Sequence, residues 1–167
     1  MPSRAIELRG LSGTVLEPGV HIRQREWKTT ATEEYRADED VKVLLIEDDV
    51  AAAEMYRLRL VADGYSVVIG HDGREGLRLA TDEAPDFIYL DLRLPGLDGF
   101  EVLERLRGDA ATRHIPVIIL TNYGEPELRE RGLRLGALEF LVKGDTNPAQ
   151  LSESVERSIG PRALPST

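Results

Sequence analysis

The chain has 167 residues, 41% of them hydrophobic, enough for one domain of ordinary size with its own core and some length to spare. Its formal net charge of -9, with 30 Asp and Glu against 21 Lys and Arg, argues against non-specific binding to nucleic acid or to an anionic membrane, since both need clustered positive charge. The lack of cysteine excludes disulfides and thiolate metal sites, and no apolar stretch approaches the roughly 20 residues of a membrane span, so a cytoplasmic protein is expected.

In chain order, residues 14–23 hold two short apolar stretches around Glu17-Pro18-Gly19, the pattern of a hairpin, and residues 31–40 read as an acidic linker. Arg23, Arg25, Trp27 and Lys28 form a small basic, aromatic cluster there. Glu17, Glu26, Glu33 and Glu34 dilute it, so a solvated segment with one Trp seeking cover is preferred to a nucleic-acid site. Residues 1–40 are thus expected to be an extension and linker, 41–160 a domain, and 161–167 a tail with no room for an effector domain.

From Val41 onward strands and helices alternate. Strands are predicted at Lys42–Ile46, 66–69, 86–90, 117–120 and 138–142, and helices at Val50–Ala62, 74–83, 98–107, 126–135 and Pro148–Ile159. The first helix carries Met55, Leu58 and Ala62 at helical spacing, predicting that face as the inward one, and Asp63-Gly64 stops it. Leu77 and Ala80 mark the inner face of the second helix, after a turn at Asp72-Gly73. Pro126 and Pro148 suit first helical turns, and Gly136 suits a left-handed cap. Five such units predict an α/β fold, a parallel sheet covered by helices on both faces with right-handed crossovers.

Four of the apolar runs stop abruptly at polar residues. Val43-Leu44-Leu45-Ile46 runs into Glu47-Asp48-Asp49, and Phe87-Ile88-Tyr89-Leu90 into Asp91. Val117-Ile118-Ile119-Leu120 runs into Thr121, and Phe140-Leu141-Val142 into Lys143. Buried parallel strands ending this way share one edge of a sheet, the edge at which ligands of such sheets bind. Carboxylates, a hydroxyl and an ammonium gathered there suit a divalent cation and an anionic group, phosphoryl above all. Asp91 is a carboxylate nucleophile able to form an aspartyl phosphate. Glu47 and Asp48 crowd it, each like-charge pair costing about 3 kcal/mol at an effective dielectric near 20. A divalent cation relieves that repulsion, and magnesium suits a few carboxylates plus substrate oxygens. Lysine occurs only at positions 28, 42 and 143 in a chain otherwise rich in arginine, which marks Lys143 as a compact counterion to the carboxylates. Thr121 offers its hydroxyl to a phosphoryl oxygen, and Asp49 is read as the N-cap of the following helix rather than a ligand.

These parts, together with Leu92-Arg93-Leu94-Pro95-Gly96-Leu97-Asp98-Gly99 after Asp91, resemble the receiver domains of two-component response regulators from Val41 to about Ile159. The resemblance implies a flavodoxin-like, doubly wound (βα)5 fold with sheet order 2-1-3-4-5. It implies magnesium held directly by Asp48, Asp91 and the Arg93 backbone carbonyl, with Glu47 acting mainly through water. Asp91 would accept phosphoryl from a histidine kinase or phosphotransfer protein, assisted by Thr121 and Lys143. Thr121 and Phe140 would form the switch, read by a downstream protein on the fourth helix, fifth strand and fifth helix; a homodimer is compatible with this. Catalysis would be limited to the domain's own phosphoryl transfer and autodephosphorylation.

Three departures accompany the resemblance. Gly144 stands after Lys143 where proline is usual, which argues against a cis peptide there. Asn122 stands where a small residue is commoner, and Arg93 and Tyr123 occupy positions that tune dephosphorylation in the family. Two other readings compete: a receiver-like interaction module that signals without phosphorylation, and a phosphohydrolase with an aspartyl nucleophile like the haloacid dehalogenases. The latter need an acid two residues after the nucleophile, where this chain has Arg93.

Because every proposed site residue lies at or beyond Glu47, a chain starting at Asp40 is expected to fold cooperatively and to accept phosphoryl at Asp91 at the rate of the full chain. Urea unfolding and intact-mass measurement check this; insolubility or loss of phosphorylation would place residues 1–39 in the core.

Overall fold

A computed structural model describes residues 40–159, so the expected N-terminal hairpin and linker and the C-terminal tail lie outside the described residues. Five strands, β1 (Lys42–Ile46), β2 (Ser66–Gly70), β3 (Phe87–Leu90), β4 (Val117–Thr121) and β5 (Glu139–Val142), form one parallel sheet. Their order is β2-β1-β3-β4-β5, the flavodoxin-like order. The helices are α1 (Val50–Ala62), α2 (Gly73–Asp82), α3 (Gly99–Gly108), α4 (Pro126–Arg134) and α5 (Pro148–Ile159), with a short 3₁₀ turn at Lys143–Asp145. No helix among the described residues is long and apolar enough to cross a membrane.

Side-chain alternation along the strands divides the core into two halves. Leu44, Ile46, Ile88, Leu90, Val117 and Ile119 pack with Leu79 and Ala80 of α2 and with Phe100, Val102, Leu103 and Leu106 of α3. Val43, Leu45, Phe87, Tyr89, Ile118 and Leu120 face the other way, onto Ala53, Tyr56 and Leu60 of α1 and Leu151 and Val155 of α5. Because both faces are covered, the central strands read as continuous apolar runs.

The inner face of α1 differs from the expected one. Met55 and Leu58 are 48% and 55% exposed and Ala62 is exposed too, whereas Ala53, Tyr56 and Leu60 are buried. The helix is apolar nearly all round, so two sets of residues three and four apart both satisfy helical periodicity. The set that wins is the one that packs against β1 and α5, Ala53, Tyr56 and Leu60 with Val43, Leu45, Leu151 and Val155, while the Asp49 carboxylate accepts the Ala52 N–H at 2.9 Å, the N-cap role read from the sequence. In α2, Ala80 is buried as expected and Leu77 packs partly buried against the same core. Pro126 opens α4, and Gly136, at φ +103°, follows its C-terminus in the left-handed conformation.

Polar ties fix the helices against the sheet. The Tyr89 hydroxyl on β3 reaches the Leu151 carbonyl (2.5 Å) and Ser154 Oγ (2.6 Å) of α5. The Arg107 guanidinium at the end of α3 donates to the carbonyls of Arg113, Ile115 and Gly136, joining the α3–β4 and α4–β5 loops at the edge remote from the strand tips. On the opposite edge, α3 begins with a capping box between Asp98 and Glu101, and Gly99 lies hard against the turn that leaves β3. A Cβ at Gly99 would stand 2.3 Å from the Asp91 carbonyl oxygen and 2.6 Å from the Leu92 Cα, both backbone atoms that cannot swing aside. Gly99→Ala is therefore expected to destabilise the fold by roughly 1–3 kcal/mol. Gly108→Ala, with open space around its Cβ, should be near neutral. Urea unfolding of the two variants checks the contrast.

Candidate functional site

The strand register brings the tips together. Ile46 pairs with Leu90, so Glu47 and Asp91 emerge level on adjacent strands, and Thr121 pairs with Val142, placing Lys143 just beyond the end of β5. Backbone bonds continue past the strand ends: Glu47 N–H donates to the Gly70 carbonyl and Asp91 N–H to the Ile46 carbonyl, each at 3.0 Å. Both acidic residues therefore stand on rigid backbone. They are almost wholly buried, at 1% and 6% exposure, while Asp48 is exposed on the rim.

Carboxylate oxygens of Glu47, Asp48 and Asp91 lie within 4.8 Å of one another. The Lys143 ammonium, itself largely buried, bridges two of them, donating to Glu47 Oε2 and to Asp91 Oδ2, the latter at 2.9 Å. The second Glu47 oxygen accepts the Asp49 N–H at 3.2 Å, and the second Asp91 oxygen accepts the Arg93 N–H at 3.3 Å. The tips line an open cleft of about 540 Å³ bounded also by Ala52, Tyr56, Arg93, Asn122, Tyr123 and Gly144.

The electrostatics are unbalanced. Burial is the largest influence on Glu47; with the Asp91 charge, it outweighs the help of Lys143 and raises the Glu47 pKa above the ordinary carboxylate value. For Lys143 the largest single influence, burial, works against the charge, but the hydrogen bonds and charges of Glu47 and Asp91 together outweigh it and raise its pKa. One ammonium thus keeps its own proton firmly while leaving Glu47 under-compensated. Three hard oxygen donors in an under-compensated negative pocket fit a divalent cation of the magnesium type, and Glu47, Asp48 and Asp91 are the residues able to hold it.

The remaining expected site residues fall into three places. Thr121 is fully buried at the end of β4, its Oγ accepting the Tyr123 N–H at 3.4 Å, and it is not among the residues lining the cleft. Phe140 is buried on β5, with the Arg129 guanidinium 5.1 Å from its ring and donating to its carbonyl at 2.9 Å. Arg93 stacks its guanidinium over the Tyr123 ring at 3.9 Å on the cleft wall, so the two residues flagged separately in the sequence form one contact. The Lys143-Gly144 peptide is trans. Tyr56 lines the cleft although nothing in the sequence marks it as a site residue. The only signal is that it lies on the same side of α1 as Ala52 and Ala53, about two turns on from the Asp49 cap.

The raised Glu47 pKa has a sign for stability. The folded state favours protonated Glu47, so its contribution is fully present below the ordinary value of 4.5 and is lost as pH rises through the raised folded value. In chelator, the native chain is expected to lose stability relative to Glu47→Gln as pH rises above 4.5. Thermal unfolding of the pair across pH 4 to 8 (about that range) checks it, and magnesium should close the gap for the native chain.

Comparison with known proteins agrees with this geometry. The family model for the response regulator receiver domain matches residues 43–156. The response regulator MprA of Mycobacterium tuberculosis is 38% identical over 117 residues, covering 70% of this chain and 48% of its own. The DNA-binding dual master transcriptional regulator RpaA of Synechocystis is 41% identical over 102 residues, covering 61% of this chain and 42% of its own. Response regulator PleD of Caulobacter vibrioides is 38% identical over 102 residues, and the match covers 22% of it, so this chain spans less than half of each of these relatives. Among solved structures, the receiver domain of sensor histidine kinase PA1611 from Pseudomonas aeruginosa, with a magnesium ion coordinated in its active site cleft, superposes with TM-score 0.68. It is 31% identical over 74% of this chain and 100% of that one. Chemotaxis protein CheY4 of Vibrio cholerae superposes with TM-score 0.67 at 32% identity, over 71% of this chain and 98% of that one. With its parallel 2-1-3-4-5 sheet and the acidic cluster at the strand tips, this chain belongs to the response regulator receiver domain family of two-component signalling.

Proposed function

We propose that this chain is the phosphoacceptor of a two-component relay, with Asp91 taking a phosphoryl group from the phosphohistidine of a histidine kinase or phosphotransfer protein. The observation that carries the reading is the buried Asp91 carboxylate, held beside Glu47 and within 2.9 Å of the Lys143 ammonium in a cleft open to a partner. In the step, an Asp91 oxygen forms a bond to phosphorus and the phosphorus–nitrogen bond of the donor breaks. The imidazole leaves with the bonding pair and is neutralised by a proton from solvent. Magnesium, held by Asp48, Asp91 and the Arg93 backbone carbonyl with Glu47 acting through water, would supply charge neutralisation for the transferring group. Lys143 exchanges a carboxylate oxygen for a phosphoryl oxygen, and the Thr121 hydroxyl gives up the Tyr123 N–H to reach the same group.

Movement of Thr121 is proposed to be coupled to Phe140, now packed beneath Arg129, and so to the surface of α4, β5 and α5 that a downstream protein reads. Phosphorylation shifts that equilibrium only as far as it favours one arrangement over the other. The hydrolase reading is disfavoured because Arg93, where a general acid would be needed, is stacked on Tyr123.

With acetyl phosphate and magnesium, the intact mass should rise by one phosphoryl group and peptide mapping should place it on Asp91. Asp91→Asn or chelation should abolish the rise; modification that persists in the variant would remove Asp91 from the role. Lys143→Ala should slow phosphorylation about tenfold or more, consistent with loss of a charged donor to the transferring group. Its magnesium affinity, read by calorimetry, should be equal or higher, because a competing cation is gone.

A further inference from the structure

Tyr56, like Asn122, lines the cleft with a polar group whose chemistry the preceding account leaves unused. It projects from the inner face of α1, is 5% exposed, and packs its ring in the core with Ala53 and Leu60 while lining the cleft with Glu47, Asp91 and Lys143. Its hydroxyl has no protein hydrogen-bond partner among the described residues, and since it is not fully enclosed it opens to the cleft, where a water can reach it. Burial raises its pKa, with the charges of Lys143, Glu47 and Asp91 as the further influences, so the phenol is neutral and within reach of the site's field.

A neutral hydroxyl both donates and accepts, whereas the carboxylates here only accept and the ammonium only donates. Lys143 has three N–H donors and gives two of them to Glu47 and Asp91. Its third finds no acceptor among the described residues. The other phenol of the cleft, Tyr123, lies beneath the Arg93 guanidinium.

We propose that Tyr56 is a positioning residue of the site, its hydroxyl accepting through one water the Lys143 N–H that neither carboxylate takes. It thereby holds the ammonium in line while Lys143 exchanges a carboxylate for the phosphoryl group. The inference rests on the phosphoacceptor reading above and adds to it a residue that acts through Lys143.

The test is Tyr56→Phe in the full chain, alone and combined with Lys143→Ala, phosphorylated by acetyl phosphate at saturating magnesium. Tyr56→Phe keeps the ring in the core and removes a hydroxyl that no protein group bonds, so its unfolding midpoint should be nearly unchanged. Its maximal phosphorylation rate should fall about three- to tenfold, the worth of one hydrogen bond in an enclosed site, with magnesium affinity unchanged. In the Lys143→Ala background, Tyr56→Phe should slow the reaction no further, because its target is gone. A native maximal rate in Tyr56→Phe would overturn the proposal, as would an equal loss with and without Lys143. Either outcome leaves Asp91 as acceptor, whereas a native chain that never gains phosphate at Asp91 overturns both readings.

Discussion

The bridge that Lys143 makes between Glu47 and Asp91 is the interaction on which the site depends. Two nearly buried carboxylates on adjacent strands, with a third on the rim, repel one another by an amount comparable to a sizeable share of a domain's stability. One ammonium makes this arrangement tolerable without satisfying it. The deficit appears in Glu47, whose proton is held more tightly than in water because burial and Asp91 outweigh Lys143. An under-compensated site is suited to a cation and a transferable anion: it folds without them, yet gains from both.

The rest of the fold keeps those charges from relaxing apart. Glu47 and Asp91 sit one residue past paired strand ends, their N–H groups held by neighbouring strands, so neither backbone can retreat toward solvent. Gly99 lets the start of α3 press against the Asp91 carbonyl, which fixes the turn leaving β3. Tyr89, two residues before Asp91, is anchored to α5 through Leu151 and Ser154. A polar path thus runs from the strand bearing the proposed phosphoacceptor to a helix on the proposed readout face, and a shift of that strand would be felt there as a strained hydrogen bond rather than a weak apolar slip.

Much of this was legible in the sequence because the strands are buried on both faces. Val43 to Ile46 and Phe87 to Leu90 are uninterrupted apolar runs, so their ends are sharp, and the polar residue at each end is conspicuous. The same logic placed Glu47, Asp91 and Lys143 at one edge, and cap chemistry placed Asp49 and Gly136. The inner face of α1 was not legible. Val50, Met55, Leu58 and Val61 are all exposed, and periodicity alone cannot choose between two apolar faces when tertiary contacts with β1 and α5 decide. Tyr56 as a cleft residue was lost with that face. The contact between Arg93 and Tyr123 joins two loops thirty residues apart in the chain, about which local patterning carries no information.

The most direct measurement of the account is a crystal structure of the chain grown with magnesium and beryllium trifluoride, a stand-in for the phosphoryl group. The account predicts the fluoride adduct on an Asp91 oxygen and a metal ion about 2.1 Å from oxygens of Asp48, Asp91 and the Arg93 carbonyl. Lys143 should have left one carboxylate to contact a fluorine. An adduct on another residue, or a Lys143 ammonium still bridging Glu47 and Asp91 with no metal between the carboxylates, would contradict it.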